Sequence, residues 1–110
     1  MNRSVVISGI GLISSLGEGM EPHLAALKGG VAPVVDSETF APYPVHPMVA
    51  LELDRQIPKK SDQRQMETWQ RLGVYAAGLA LDSAGLKDDV EAKSRLQVIV
   101  AAGGGDHCVE

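Results

Sequence analysis

An α/β fold built on a parallel sheet is what the sequence predicts, and three observations predict it. Residues 4–10 (SVVISGI) and 96–102 (LQVIVAA) are short runs rich in β-branched residues that hold no charge, the composition of strands covered on both faces. Residues 61–85 (SDQRQMETWQRLGVYAAGLALDSAG) repeat apolar or small residues at Met66, Trp69, Leu72, Gly73, Ala76, Leu79 and Ala80, the three-and-four spacing of one helical face. Uncharged strands joined through helices form the βαβ type of unit, in which both faces of the sheet are covered.

After the first run, Gly9, Gly11 and Gly17 punctuate a turn, and residues 11–17 (GLISSLG) read as a loop with close backbone approach. Residues 20–28 predict a short amphipathic helix with Leu24, Ala25 and Leu27 inward; Gly29 and Gly30 stop it, and Lys28 suits the negative end of its dipole. Residues 31–58 hold Pro33, Pro42, Pro44, Pro47 and Pro58. They predict an extended, irregular excursion with a short strand near residues 48–53, and a loop of this length is functional or laid over a larger body.

The long helix follows. Ser61 caps its first turn and Gly85 supplies the left-handed residue that closes its last. Its first half is wet and basic; its second half (GVYAAGLALDSAG) is small or apolar almost all the way round, so it is expected to be buried on several sides. Gly73 and Gly78 each cost about 1 kcal/mol of helix propensity relative to alanine, which predicts that another backbone approaches closely there. Residues 86–95 read as a polar connection, and the second strand ends in Gly103, Gly104 and Gly105. Two strands and a many-sided apolar helix cannot satisfy one another. The expectation is therefore the beginning of a longer α/β protein, or a chain bound to the rest of one.

Composition narrows the function classes. One domain at most fits in 110 residues. The net charge of −4 argues against nucleic acid as a partner. Cys108 is the single cysteine, so an internal disulfide framework is excluded and a reducing compartment fits. The run VVISGIGLI is short, holds two glycines and lacks a small-x-small cleavage site, unlike a secretory leader. No run approaches the roughly 18 apolar residues of a membrane span, and the expected location is the cytoplasm.

Several residues invite chemistry. Gly9 and Gly11 after a strand suggest a dinucleotide fingerprint, but the third glycine is absent and the first acid beyond, Asp36, lies among prolines. A tight turn beneath a sheet is the plainer reading. His107 and Cys108 are neighbours without a spaced partner set for metal or an evident means of lowering the thiol pKa, so Cys108 reads as an ordinary loop or pocket cysteine. His23 and His46 are isolated in sequence, and His46 reads as a surface residue. Lys59, Lys60 and Arg64 say more. Lys60 and Arg64 share a face at the start of the long helix, where cations oppose the dipole. Either they form a solvated charged face or they dock an acidic partner.

Taken together, these stretches resemble the N-terminal part of the β-ketoacyl-acyl-carrier-protein synthases, the condensing enzymes of type I and II fatty-acid synthesis with a thiolase-like fold. Residues 3–17 (RSVVISGIGLISSLG) look like the family's opening strand and turn. Residues 24–30 (LAALKGG) are similar to its first helix and stop, and residues 63–69 (QRQMETW) stand at its basic-Met-Asp-aromatic signature. Residues 80–86 (ALDSAGL) match its A-L-x-D-A-G-L, and residues 98–105 resemble its glycine-rich strand and loop. Five motifs in the right order cover nearly all of this chain, but about the first quarter of such an enzyme.

The resemblance implies a layered α-β-α-β-α fold of thiolase type, of which residues 1–110 are an incomplete N-terminal part, and a homodimer formed through the full fold. It implies acyl transfer from a carrier's pantetheine arm to a cysteine, then decarboxylative attack by malonyl-carrier protein, with acyl and malonyl thioesters as substrates and no cofactor or metal. No catalytic residue falls in this segment. The carrier-docking positions correspond to Lys60 and Arg64, with Lys59 beside them, and the gate of the acyl pocket at the dimer interface corresponds to Gly104. A glycine there implies an open pocket for long acyl chains. Departures are Ser15 for proline, Glu67 for aspartate, Ala101 and Ala102 in the glycine loop, and the run Asp106-His107-Cys108. These leave a non-catalytic, chain-length-setting partner subunit as an alternative, and a nucleotide-binding α/β fragment as one from another class.

Overall fold

The computed structural model describes residues 3–30 and 32–103. The chain divides into two compact units, one comprising Leu12–Glu52 and the other the described residues of Met1–Gly11 and Leu53–Glu110.

The Leu12–Glu52 unit opens with a hairpin. Strands β1 (Ile13–Ser14) and β2 (Gly17–Glu18) pair antiparallel, Ile13 opposite Glu18 and Ser14 opposite Gly17. Gly17 adopts φ 141°, and Gly19, at φ 87°, turns the chain into helix α1 (Met20–Leu27). Both φ values lie where a side chain is strained. Helix α1 ends as expected: Gly29 takes φ 82°, and the Gly29 and Gly30 amides donate to Ala26 O at 3.0 Å and Ala25 O at 3.1 Å. His23 is not isolated. Its ring is bonded to Ser14 Oγ at 2.6 Å and to Gly19 O at 2.7 Å, joining the helix to the hairpin.

The proline-rich excursion is irregular, as its composition predicts, yet it is pinned. Asp36 and Val45 exchange backbone hydrogen bonds of 2.7 and 2.9 Å in an antiparallel bridge. The Asp36 carboxylate accepts the Glu38 and Thr39 amides at 3.0 Å, a turn of the kind aspartate favours. The exposed His46 ring donates through Nδ1 to Val34 O at 2.9 Å. No strand forms at residues 48–53; a 3₁₀ turn at Leu53–Arg55 takes the chain on instead.

In the other unit the expected single helix over residues 61–85 is two. Helix α2 (Lys60–Gln65) stops at Met66, and helix α3 (Thr68–Ala84) begins after Glu67, with both linking residues extended. A capping box joins Glu67 and Gln70, the Glu67 amide donating to Gln70 Oε1 at 2.8 Å, while Trp69 Nε1 donates to Glu67 Oε2 at 2.8 Å. A carboxylate held at a new N-terminus also suits the helix dipole. Arg71 bridges the break, donating through Nε to Gln63 O at 2.9 Å. Ser61 does not cap; Lys59 stands at the start of α2 without a side-chain cap. Gly85 closes α3 at φ 74°, as its position predicts. The connection at residues 86–95 holds a short helix, α4 (Val90–Ser94), capped by Asp89, whose Oδ1 accepts the Ala92 amide at 2.9 Å.

Close packing on α3 comes from Gly9 and Gly11. A Cβ on Gly9 would fall against Ala80 O and 2.7 Å from Ala84 N; one on Gly11 would overlap Ala76 O and lie 2.7 Å from Ala80 N. Backbone does approach this helix, but at its alanines. Gly73 meets nothing among the described residues, and Gly78 is filled by the Gln56 side chain. Gln56 then donates to Asp82 Oδ2 at 2.8 Å and accepts from Lys87 Nζ, tying the 3₁₀ turn to the end of α3. The core is small: Ile57, Tyr75, Gly78 and the polar Gln63 are buried, and Gln63 Nε2 is satisfied by Asp54 Oδ1 and Ile57 O, each at 2.7 Å.

Residues 4–10 and 96–102 correct the sequence reading. Among the described residues neither run pairs as a strand, and both are open to solvent, with Val5 99% and Ile99 92% exposed. Both runs are uncharged, but among the described residues no neighbouring strand takes their amides and carbonyls and most of their large apolar side chains stay in solvent. The described architecture is thus helices with a small two-stranded sheet, compatible with an α/β fragment. Among the described residues no helix is long and apolar enough to cross a membrane.

Hydrogen bonds from the Gln56 amide, then the Lys87 charge, hold the Asp82 carboxyl below the usual carboxylate range. A folded pKa below the unfolded one stabilises at neutral pH and is lost as pH falls through the carboxylate range. Denaturant midpoints of the wild type and Asp82→Asn are therefore expected to differ at about pH 7 and to approach one another as pH falls below the ordinary aspartate value of 3.8.

Candidate carrier-docking surface and apolar groove

Lys59, Lys60 and Arg64 are all exposed on and beside α2. Because α2 is only six residues long, Arg64 lies in its last turn, where a cation complements the dipole. The premise that both helical cations oppose it holds for Lys60 alone. Lys60 is met by Asp54, Nζ to Oδ1 2.7 Å, with the two side chains 65% and 61% exposed. Hydrogen bonds from Lys60, then Gln63, keep the Asp54 carboxyl below its ordinary range. An ion pair this exposed contributes little and exchanges readily with solvent or a partner. Among the described residues Lys59 and Arg64 form no ion pair. So Lys60 and Arg64 stand four apart on α2 with Lys59 at its start, and two of the three cations are uncommitted.

The same unit holds a groove of 810 Å³, lined on α2 by Asp62 and Gln65 rather than by the cations. Met66, Trp69, Gly73 and Ala77 form one wall, and the exposed Ile99 and Val100 stand across it, with Asp62 and Gln70 among its few polar residues. The absence of a Cβ on Gly73 is part of what opens it. The sequence reading placed Trp69 in the run 63–69 and Gly73 at a close backbone approach, not in a groove; the spacing Glu67-x-x-Gln70 is the signal that could have shown the helix restarting there. Gly104, the expected pocket gate, lies outside the described residues, as do His107 and Cys108.

Exposed cations and an apolar groove do not by themselves define a chemistry. The comparison that goes further is by sequence. The chain is 29% identical over 114 residues to 3-oxoacyl-[acyl-carrier-protein] synthase 2 of Vibrio cholerae serotype O1 (strain ATCC 39315 / El Tor Inaba N16961), a match that covers 98% of this chain and 27% of that protein. It is 30% identical over 107 residues to 3-oxoacyl-[acyl-carrier-protein] synthase 2 of Vibrio harveyi, covering 94% of this chain and 26% of that one. The chain thus spans about a quarter of the length of the curated relatives it matches. No protein-family model matches it, and no solved structure does.

Proposed function

We propose that this chain is the N-terminal part of a β-ketoacyl-acyl-carrier-protein synthase, which condenses malonyl-carrier protein with an acyl-enzyme thioester and releases carbon dioxide. The observation that carries the reading is the match to two 3-oxoacyl-[acyl-carrier-protein] synthases along nearly the whole of this chain. The exposed runs at residues 4–10 and 96–102 agree with it. Val5, Val6, Ile7, Val98, Ile99 and Val100 are each at least 65% exposed, and covering such side chains is worth about 1.5–3 kcal/mol apiece. Further strands and helices of a thiolase-like fold would supply that cover. On this reading Lys59, Lys60 and Arg64 meet the acidic carrier protein, Gly104 lines an open acyl pocket near a homodimer interface, and the nucleophile and its histidines lie outside residues 1–110. The enzyme works in the cytoplasm without a cofactor.

The test is a condensation assay with acyl- and malonyl-carrier protein, following the 3-oxoacyl product by mass spectrometry. The enzyme carrying this chain as its first quarter is expected to make that product, and residues 1–110 alone to make none. Turnover by the segment alone, or none by the whole enzyme, overturns the assignment.

A further inference from the structure

The Leu12–Glu52 unit holds a nucleophile-and-base pair that the ketosynthase reading does not use. His23 Nδ1 lies 2.7 Å from Gly19 O. A carbonyl oxygen only accepts, so Nδ1 carries the proton and, in the neutral ring, Nε2 has a free lone pair. That lone pair faces Ser14 Oγ at 2.6 Å. Ser14 Oγ already accepts the Leu16 amide at 3.1 Å, so its own proton is the one directed at His23. The hydroxyl is therefore polarised from both sides, an N–H on its lone pair and an imidazole on its proton. This is the nucleophile–base–orienter arrangement of acyl-transfer sites, with a backbone carbonyl in the orienting place.

The pair is also held in place. The Gly19 amide donates to Leu12 O at 2.7 Å, locking the orienting residue to the strand that leads into Ser14. Gly17 packs close to Pro22, where a Cβ would sit 2.8 Å from Pro22 Cγ, so the hairpin seats on the first turn of α1. Ser14 and His23 are both half-buried, shielded enough to strengthen their hydrogen bond and open enough for a small reagent.

We propose that Ser14 is an acyl-accepting nucleophile with His23 as its general base, acting on small activated esters and thioesters. Ser14 Oγ attacks the acyl carbon and its proton passes to His23 Nε2. The tetrahedral adduct then collapses with cleavage of the bond to the leaving oxygen or sulfur, which takes the proton from His23. The products are an acyl-serine ester and a free alcohol or thiol. Neither Ser14 nor His23 has a role in the proposed condensation.

The experiment exposes the purified protein to 4-nitrophenyl acetate, counts acetyl groups by intact mass and locates them by peptide mapping. One acetyl group on Ser14 is expected, with one equivalent of nitrophenolate released. Ser14→Ala should abolish it, and His23→Gln should slow it by about 100-fold or more, with the circular dichroism unchanged. Acetylation confined to lysines, Cys108 or the N-terminal amine overturns the proposal, and so does a folded His23→Gln variant that reacts at the wild-type rate. Should His23→Gln fail to fold, the site of the adduct on the wild-type protein decides.

Discussion

Replacing Gly11 with alanine is expected to destabilise the unit of Met1–Gly11 and Leu53–Glu110 by about 3 kcal/mol, seen as a lower urea midpoint at unchanged slope. The new Cβ would overlap Ala76 O and stand 2.7 Å from Ala80 N and 2.9 Å from the Ala76 carbonyl carbon. All three are main-chain atoms of α3, so no side-chain rotamer relieves the clash; the segment must lift off the helix or the helix must distort. Gly11 does not have a left-handed φ, which makes the cost purely one of space. Gly9→Ala should behave similarly, because Ala80 O and Ala84 N crowd its Cβ position in the same way. Gly73→Ala supplies the contrast. Gly73 is exposed and meets nothing among the described residues, so alanine there should stabilise α3 by about 1 kcal/mol through helix propensity. If Gly11→Ala leaves the midpoint unmoved, the packing of this segment on α3 is wrong.

That contrast shows what local sequence could and could not disclose. Glycines in residues 9–11 and in the long helix both advertised close approach, and the approach is real. Its pairing was not legible, because the glycines of the extended segment meet the alanines of the helix while Gly78 receives a side chain and Gly73 receives nothing described. Helix ends set by glycine backbone geometry, at Gly29 and Gly85, read correctly, since a left-handed residue terminates a helix whatever surrounds it. The break at Met66–Glu67 did not, because apolar periodicity runs straight through it and Glu67 is an unusual cap. Contacts such as Ser14 with His23, or Lys60 with Asp54, join residues too far apart in sequence for spacing to predict. Residues 4–10 and 96–102 carry strand composition without strand pairing: composition reports what a segment could bury, and pairing depends on neighbours that the described residues do not supply.

On the proposed ketosynthase reading, reversing the two uncommitted cations, Lys59→Glu with Arg64→Glu, is expected to lower kcat/KM of the whole enzyme for carrier-bound substrate by about 10- to 100-fold at low salt. The loss should shrink as ionic strength rises and the Debye length shortens. With the same acyl group on free pantetheine or coenzyme A, kcat/KM should hardly change, because the acyl pocket is untouched. Lys60→Glu is a poorer probe: it breaks the 2.7 Å contact with Asp54 and sets two carboxylates side by side, mixing a small stability cost with the binding effect. The order of single effects should follow that geometry, Arg64 and Lys59 giving the cleaner salt-dependent losses. Equal losses for carrier-bound and free thioesters would move the docking surface elsewhere on the enzyme. A loss that ignores salt would assign these residues to folding rather than to recognition, since steering by exposed charge is the one contribution that added electrolyte removes.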